Sequence, residues 1–195
     1  MAKKLGWLLV CAILLLFFGC GEMGKVDQGR VVAVDKAKDS ITFIRDVKAD
    51  PGKPDYSQLP PVTYLLPKDP KETGPEPKVG KRMNLDTKGR TITLYDPATQ
   101  SFKKIDYTLI DEKDGVAKDS PLVAGKKFPE VDRVKKAITI YSGRQKILVT
   151  FSVPDEYFAL PDDTWEAGDE VRVYYKEPGK ALRYMNISKT DIFKK

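Results

Sequence analysis

Short runs of alternating apolar and polar residues constrain the fold of this chain more than any other feature. The clearest runs are 41–43, 91–94, 147–151 and 171–175. They are rich in β-branched and aromatic residues and end at turn-forming pairs such as Asp96-Pro97, which is typical of half-buried strands. The run that follows Gly168-Asp169 has the Gly-Asp-x-Val-x-Val pattern frequent in small OB-like barrels. The sequence therefore predicts an all-β fold of one or two small antiparallel OB-like barrels or sandwiches.

A weak internal repeat has the form Asp, five residues, then Ile-Thr and an apolar residue. Its three copies start at Asp35, Asp86 and Asp132, and a glycine precedes each start by six or seven residues. We expect each copy to be a β-hairpin. The glycine opens the first strand, the aspartate ends it by binding its own backbone, and the isoleucine starts the return strand facing inward. Duplication and a chance likeness between ordinary hairpins both remain open.

The segment 50–80 contains eight of the fourteen prolines. Because proline cannot donate to a β-ladder, most of this segment is expected to be loop or sheet edge, with one strand inside it. It can serve as a recognition loop or as a stiff connection. The polar stretch 112–120 marks a boundary if there are two domains. The chain then divides into a tether (20–28), a first β-domain with this Pro-rich loop (29–111) and a second β-domain (121–195).

The first nineteen residues have the features of a secretion signal. Lys3 and Lys4 precede an uncharged apolar run, 7–18, which is shorter than the roughly 20 residues of a membrane span. Gly19 and Cys20 follow, and here the segment resembles the signal of bacterial lipoproteins, although Phe17-Phe18 departs from the family's Leu-small pair. The alternative is an uncleaved membrane anchor. The proline-rich stretch that leads into 79–83 also loosely resembles bacterial lipoproteins of unknown function.

The resemblance implies that 1–19 is a helical signal peptide, removed on export, and that Cys20 carries a diacylglyceryl group. Two or more acyl chains hold a protein stably on a bilayer. The implied partner is thus membrane lipid, and the implied location is the cell envelope, on a membrane facing the periplasm, with the outer membrane favoured.

The composition excludes several kinds of chemistry. The chain has no histidine, and its two cysteines are Cys11 in the apolar run and Cys20. The mature chain therefore has no imidazole and no free thiol, which excludes Ser-His-Asp and Cys-His catalysis and Cys/His zinc sites. Its 32 basic and 28 acidic side chains are interspersed, unlike the clustered basic face of a nucleic-acid-binding protein. We expect no cofactor, no metal and no nucleic-acid partner.

The densest group of chemically useful side chains is 154–170, with seven acids, three aromatics and no basic residue. A ligand patch of Tyr157, Asp162, Asp163 and Trp165 would bind sugars by stacking and hydrogen bonding. Calcium binding and an acidic surface loop with aromatics packed inward are the alternatives. The expected function is a non-catalytic, lipid-anchored module that binds an envelope protein or component. An envelope enzyme using carboxylates or a divalent metal, and a transport or assembly accessory, remain alternatives.

Overall fold

The computed structural model describes residues 23–50 and 52–190, so Cys20 and the predicted signal lie outside the described residues. The described residues form an all-β fold of three antiparallel sheets, as predicted. The strands are β1 (Lys25–Asp35), β2 (Ser40–Arg45), β3 (Val62–Leu65), β4 (Arg82–Asp86), β5 (Thr91–Asp96), β6 (Ser101–Asp106), β7 (Thr108–Lys113), β8 (Glu130–Asp132), β9 (Ala137–Ser142), β10 (Ile147–Ser152), β11 (Glu170–Tyr175) and β12 (Ala181–Asn186). Within the described ranges no helix is long and apolar enough to cross a membrane.

The largest sheet has the strand order β12-β11-β1-β2-β3. Because side chains alternate between faces, one face of this sheet carries Val31, Phe43 and Val173 into an apolar core. The other face carries polar cross-strand pairs, Gln28 beside Arg172 and Arg30 beside Glu170. This second face turns toward the rest of the molecule.

The edges of the five-stranded sheet approach each other without closing. Leu65 at the end of β3 forms an isolated bridge with Lys180, just before β12. The backbone of Gly74 donates to the carbonyl of Tyr184, so the proline-rich segment runs along β12. None of the three sheets of the described chain is closed into a barrel; the sequence-based alternative of closed barrels does not describe this arrangement.

The other two sheets pack together as a sandwich, which is one of the two predicted architectures. They have the orders β4-β5-β6 and β7-β10-β9-β8. Their inward residues share one core, which includes Ile92, Ile138 and Phe151. Trp165 comes from a short 3-10 turn, Asp162–Trp165, and packs edge-on against Phe151 at a centroid distance of 6.4 Å. Burial of these large side chains, at about 25 cal/mol per Å² of apolar surface, holds the two sheets together.

The three predicted hairpins are confirmed. Asp35 accepts hydrogen bonds from the backbone of residues 37 and 38, Asp86 from residue 89, and Asp132 from residues 134 and 135. Ile41, Ile92 and Ile138, each the second residue of its return strand, are fully buried. The hairpins are β1-β2, β4-β5 and β8-β9, one in each sheet.

Each hairpin is extended by a third antiparallel strand, which gives three meanders: β1-β2-β3, β4-β5-β6 and β8-β9-β10. In the second and third meanders, the second turn has four residues, 97–100 and 143–146. In the first meander, residues 46–61 take the place of that turn. The first meander therefore differs from the other two by a longer connection between its second and third strands.

The predicted domain limits fall inside sheets. β1 begins at Lys25, within the predicted tether 20–28, because Val26 and Gln28 pair with Tyr174 and Arg172 of β11. The five-stranded sheet takes strands from both 29–111 and 121–195, and so does the sheet that contains β7 and β10.

Two glycines allow the backbone to cross at the centre of the molecule. A Cβ on Gly168 would collide with the carbonyl oxygen of Val31, and one on Gly80 with the backbone nitrogen of Gly168. The amide of Gly80 donates to the Val31 carbonyl at 3.2 Å. The sequence pattern suggested that these glycines open strands; the structure shows that they permit close approach of three chain segments.

Candidate functional site

An arginine-lined cavity of about 670 Å³ lies where the three sheets meet. Its walls come from the polar face of the five-stranded sheet, from β4 and from the turn between β9 and β10. The side chains that give it its chemical character are Arg30, Tyr56, Arg82, Tyr141 and Arg144. We refer to it as the arginine cavity.

Arg30 joins the five-stranded sheet to β4. Its Nη1 donates to the carbonyls of Arg82 and Met83, at 3.1 and 2.8 Å. The pairing of β4 with β5 shifts register between Arg82 and Asn84, and such a bulge leaves backbone groups without ladder partners. The guanidinium also lies 4.3 Å from the ring centroid of Tyr56, in cation–π geometry. The guanidinium of Arg30 thus has a structural role, because it binds two carbonyls of β4 and stacks on Tyr56.

Glu170 is the buried acid of this cluster and is saturated with donors. Its Oε1 accepts from Gln28 at 2.8 Å, and its Oε2 accepts from the Tyr56 hydroxyl at 2.6 Å and from Arg144 Nη2 at 2.9 Å. Burial, together with the hydrogen bond to Glu170, raises the pKa of Tyr56 to about 12, so its hydroxyl stays a donor at neutral pH. A carboxylate with three donors is a structural counter-ion for the neighbouring cations.

Arg82 makes fewer hydrogen bonds than Arg30 and, unlike Arg144, is not ion-paired. Its Nε donates to the carbonyl of Trp165 at 2.9 Å. Neither Nη1 nor Nη2 has an acceptor within hydrogen-bonding distance among the described residues, and no carboxylate lies within 4.0 Å. The side chain is only 8% exposed. Burial lowers the pKa of Arg82 to about 9; the nearby charges of Arg30 and Arg144 contribute to this shift, and the charge of Glu166 opposes it.

The charge balance of the cluster is therefore positive. Arg30, Lys53, Arg82 and Arg144 line the cavity against the carboxylates of Asp55 and Asp169, and the buried carboxylate of Glu170 is bonded to Arg144. Moving a charge out of water costs several kcal/mol unless an opposite charge or hydrogen bonds compensate it. A bound anion at the free Nη groups of Arg82 would supply both, since a guanidinium binds carboxylate and phosphate through two parallel N–H bonds.

The longer connection in the first meander, residues 46–61, places Tyr56 in the cavity wall. Asp46 accepts from the backbone of Lys48 and Asp55, and the amide of Val47 donates to the carbonyl of Asp55 at 3.0 Å. These bonds close the loop and place the next residue, Tyr56, between Arg30 and Glu170. The predicted Pro-rich loop 50–80 thus contributes six cavity-lining residues, 52–57, through this longer connection.

The residues of the predicted ligand patch do not form one exposed surface. Trp165 is fully buried in the sandwich core, and Tyr157 is half-buried against that core. Asp162 accepts from Arg133 at 2.6 Å, and Asp163 is exposed. The rings of Tyr157 and Trp165 therefore pack inward. This matches the alternative interpretation of the segment as an acidic surface loop with inward-packed aromatics. Among the described residues, no group of three or more acidic or sulfur side chains is placed to hold a metal ion.

The cavity arginines were not predicted from the sequence, because each has the local pattern of an ordinary surface charge. One signal was available: Arg30 lies in Gly29-Arg30-Val31-Val32, where a charge interrupts a run that is otherwise suited to burial. Glu170 belonged to the acidic stretch 154–170, but its partner Gln28 is 142 residues away in sequence. No local pattern connects the two.

Comparison with protein families assigns the chain to one family. The model of one family, described as a domain of unknown function (DUF4881), matches residues 22–195. The chain belongs to the DUF4881 family. The matched range of this DUF4881 domain includes every residue of the arginine cavity and begins two residues after Cys20. Searches of curated proteins and of solved structures find no match.

Proposed function

We propose that this DUF4881 protein is a non-catalytic binding module that holds an anionic ligand in the arginine cavity. The observation that carries the proposal is Arg82, a residue only 8% exposed that lines the cavity and whose two terminal nitrogens have no acceptor among the described residues. The ligand class is a carboxylate- or phosphate-bearing molecule, because both groups match the fork of a guanidinium. Two arginines within the same wall, Arg30 and Arg144, reinforce the positive potential.

Binding is favoured over catalysis by the state of the one buried carboxylate in the cluster. A general acid or base needs a carboxyl group that is free to exchange a proton with substrate. Glu170 instead accepts from Gln28, Tyr56 and Arg144 at once. This arrangement supports a fixed, preorganised pocket.

We further propose that the module is attached to the envelope through an acylated Cys20, facing the periplasm. The support is the signal-like stretch 1–19 and the Gly19-Cys20 pair. β1 begins at Lys25, five residues after Cys20. At about 3.5 Å per residue, that linker would hold the sheet within about 18 Å of the membrane surface. The ligand would then be a component of the envelope or of a neighbouring envelope protein.

Isothermal titration calorimetry of the acylated protein in detergent tests the cavity. The probes are galacturonic acid, inorganic phosphate, and galactose as the uncharged counterpart of the uronic acid. We expect the wild type to bind at least one of the two anions and not galactose. The preference between the anions separates a carboxylate ligand from a phosphate ligand.

Two arginine variants complete the test. Arg82→Met should weaken anion binding at least about tenfold, the loss expected when a charge-assisted hydrogen bond worth about 1.5–3 kcal/mol is removed. Arg183→Met is the matched control, because Arg183 lies on β12, pairs with Glu72 and does not line the cavity. Absence of binding by both anions, or equal binding by wild type and Arg82→Met, would refute the proposed function.

A further inference from the structure

We propose that the ligand carries at least two anionic groups in sequence and occupies two adjacent cavities, with Arg82 between them. This inference rests on the proposed function and extends it from the charge of the ligand to its size. It starts from a second cavity, of about 550 Å³, on the other side of Arg82. Arg82, Tyr141 and Ala167 line both cavities, so the two spaces are neighbours.

The second cavity, which we call the lysine cavity, is also positively charged. Besides Arg82 it is lined by Lys78, Lys126 and Lys127, with Glu166 as its acid. Lys78 is ion-paired with Glu166 at 2.6 Å. Lys126 and Lys127 have no acid within 4.0 Å among the described residues. After the internal ion pair is counted, two lysines and the shared arginine are left for a ligand.

The lining of the two cavities favours an extended ligand over a single small anion. An anion bound at Arg82 from the arginine cavity would leave Lys126 and Lys127 in solvent. A second anionic group, linked to the first and reaching past Tyr141 and Ala167, would meet them. Once the first group is bound, the second binds at an effective concentration of the order of millimolar, so the affinity of the linked ligand exceeds that of the single unit.

A series of probes of increasing length tests this inference. Galacturonic acid, digalacturonic acid and trigalacturonic acid differ in the number of linked carboxylates, and their affinities are measured by calorimetry on the full acylated protein. We expect the wild type to bind the trimer at least about tenfold more tightly than the monomer. For the double variant Lys126→Met/Lys127→Met we expect this gain to disappear while monomer affinity is unchanged.

Lys36→Met/Lys38→Met is the matched control, because both lysines lie in the turn between β1 and β2 and line neither cavity. This variant should retain the full gain. Equal binding of monomer and trimer by the wild type, or a gain that survives in the Lys126/Lys127 variant, overturns the two-cavity inference and leaves anion binding at Arg82 standing. Failure of every uronate to bind, together with failure of phosphate, overturns both proposals.

Discussion

Replacing Arg82 by methionine should make the unliganded protein more stable, which is the opposite of the usual effect of a core substitution. Arg82 is only 8% exposed and makes one side-chain hydrogen bond, from Nε to the carbonyl of Trp165. Loss of that bond costs about 1.5–3 kcal/mol. Loss of the uncompensated charge removes a desolvation penalty of several kcal/mol, and methionine fills much of the same volume. Removal of the charge also relieves repulsion with Arg30 and Arg144.

The net gain in the free energy of unfolding is expected to be about 1–2 kcal/mol. For a chain of 150–250 residues, each kcal/mol changes Tm by about 2–4 °C, so Tm should rise by roughly 2–8 °C. Thermal unfolding followed by circular dichroism in an anion-free, uncharged buffer measures this. A matched substitution, Arg30→Met, should lower Tm, because Arg30 satisfies the carbonyls of Arg82 and Met83 and stacks on Tyr56.

Addition of a bound anion should reverse the order of wild type and Arg82→Met. A ligand at a hundred times its Kd stabilises the native state by about 2.7 kcal/mol, and only the wild type retains the site. If Arg82→Met lowers Tm by as much as Arg30→Met, then Arg82 is a structural arginine like Arg30. The reasoning that assigns it to a ligand would then be wrong.

Three further predictions concern other parts of the molecule. Glu170→Gln should lower the free energy of unfolding by about 3–5 kcal/mol in urea titrations, because it leaves the buried arginines without a counter-ion; an effect below about 1 kcal/mol would contradict the role given to Glu170. The hydrogen bonds from Lys103 and from the backbone of Ala98 hold the pKa of Asp96 at about 2, below its ordinary value of 3.8, so this group stabilises the fold above pH 3.8 and the contribution is lost as pH falls through about 2. Asp96→Asn should therefore flatten the acid limb of the stability curve, and an unchanged limb would exclude this contribution. Cys20→Ser should release the mature chain from membranes or leave it as precursor in fractionation and gel-mobility assays, and behaviour identical to wild type would exclude the anchor.

The hairpins could be predicted from the sequence because their determinants are local. Asp35 and Ile41 lie six residues apart, and both the turn hydrogen bonds and the inward position follow from that spacing. The all-β class follows in the same way from alternation. The joining of β1 to β11 in one sheet could not be predicted, because that pairing links segments about 140 residues apart and leaves no periodic signal.

The candidate site was beyond sequence reasoning for a related physical reason. A charged residue on a strand is usually solvent-exposed, and only packing by a second and a third sheet buries Arg30 and Arg82. Trp165 shows the converse. Its acidic neighbours suggested an exposed aromatic for a ligand, but the 3-10 turn that begins at Asp162 directs the ring into the sandwich core. Whether an arginine or a tryptophan is available to a ligand is decided by long-range contacts.

The most direct test of the account is the state of the Arg82 guanidinium when an anion is added. In a ¹⁵N-arginine-labelled protein, the side-chain signals of Arg82 are assigned by their absence from Arg82→Lys and followed during titration with galacturonic acid or phosphate. The account predicts that the Nη signals of Arg82 shift on binding and that their hydrogens exchange more slowly with water, while those of Arg183 stay unchanged. Saturation by the anion with no change at Arg82 would contradict it.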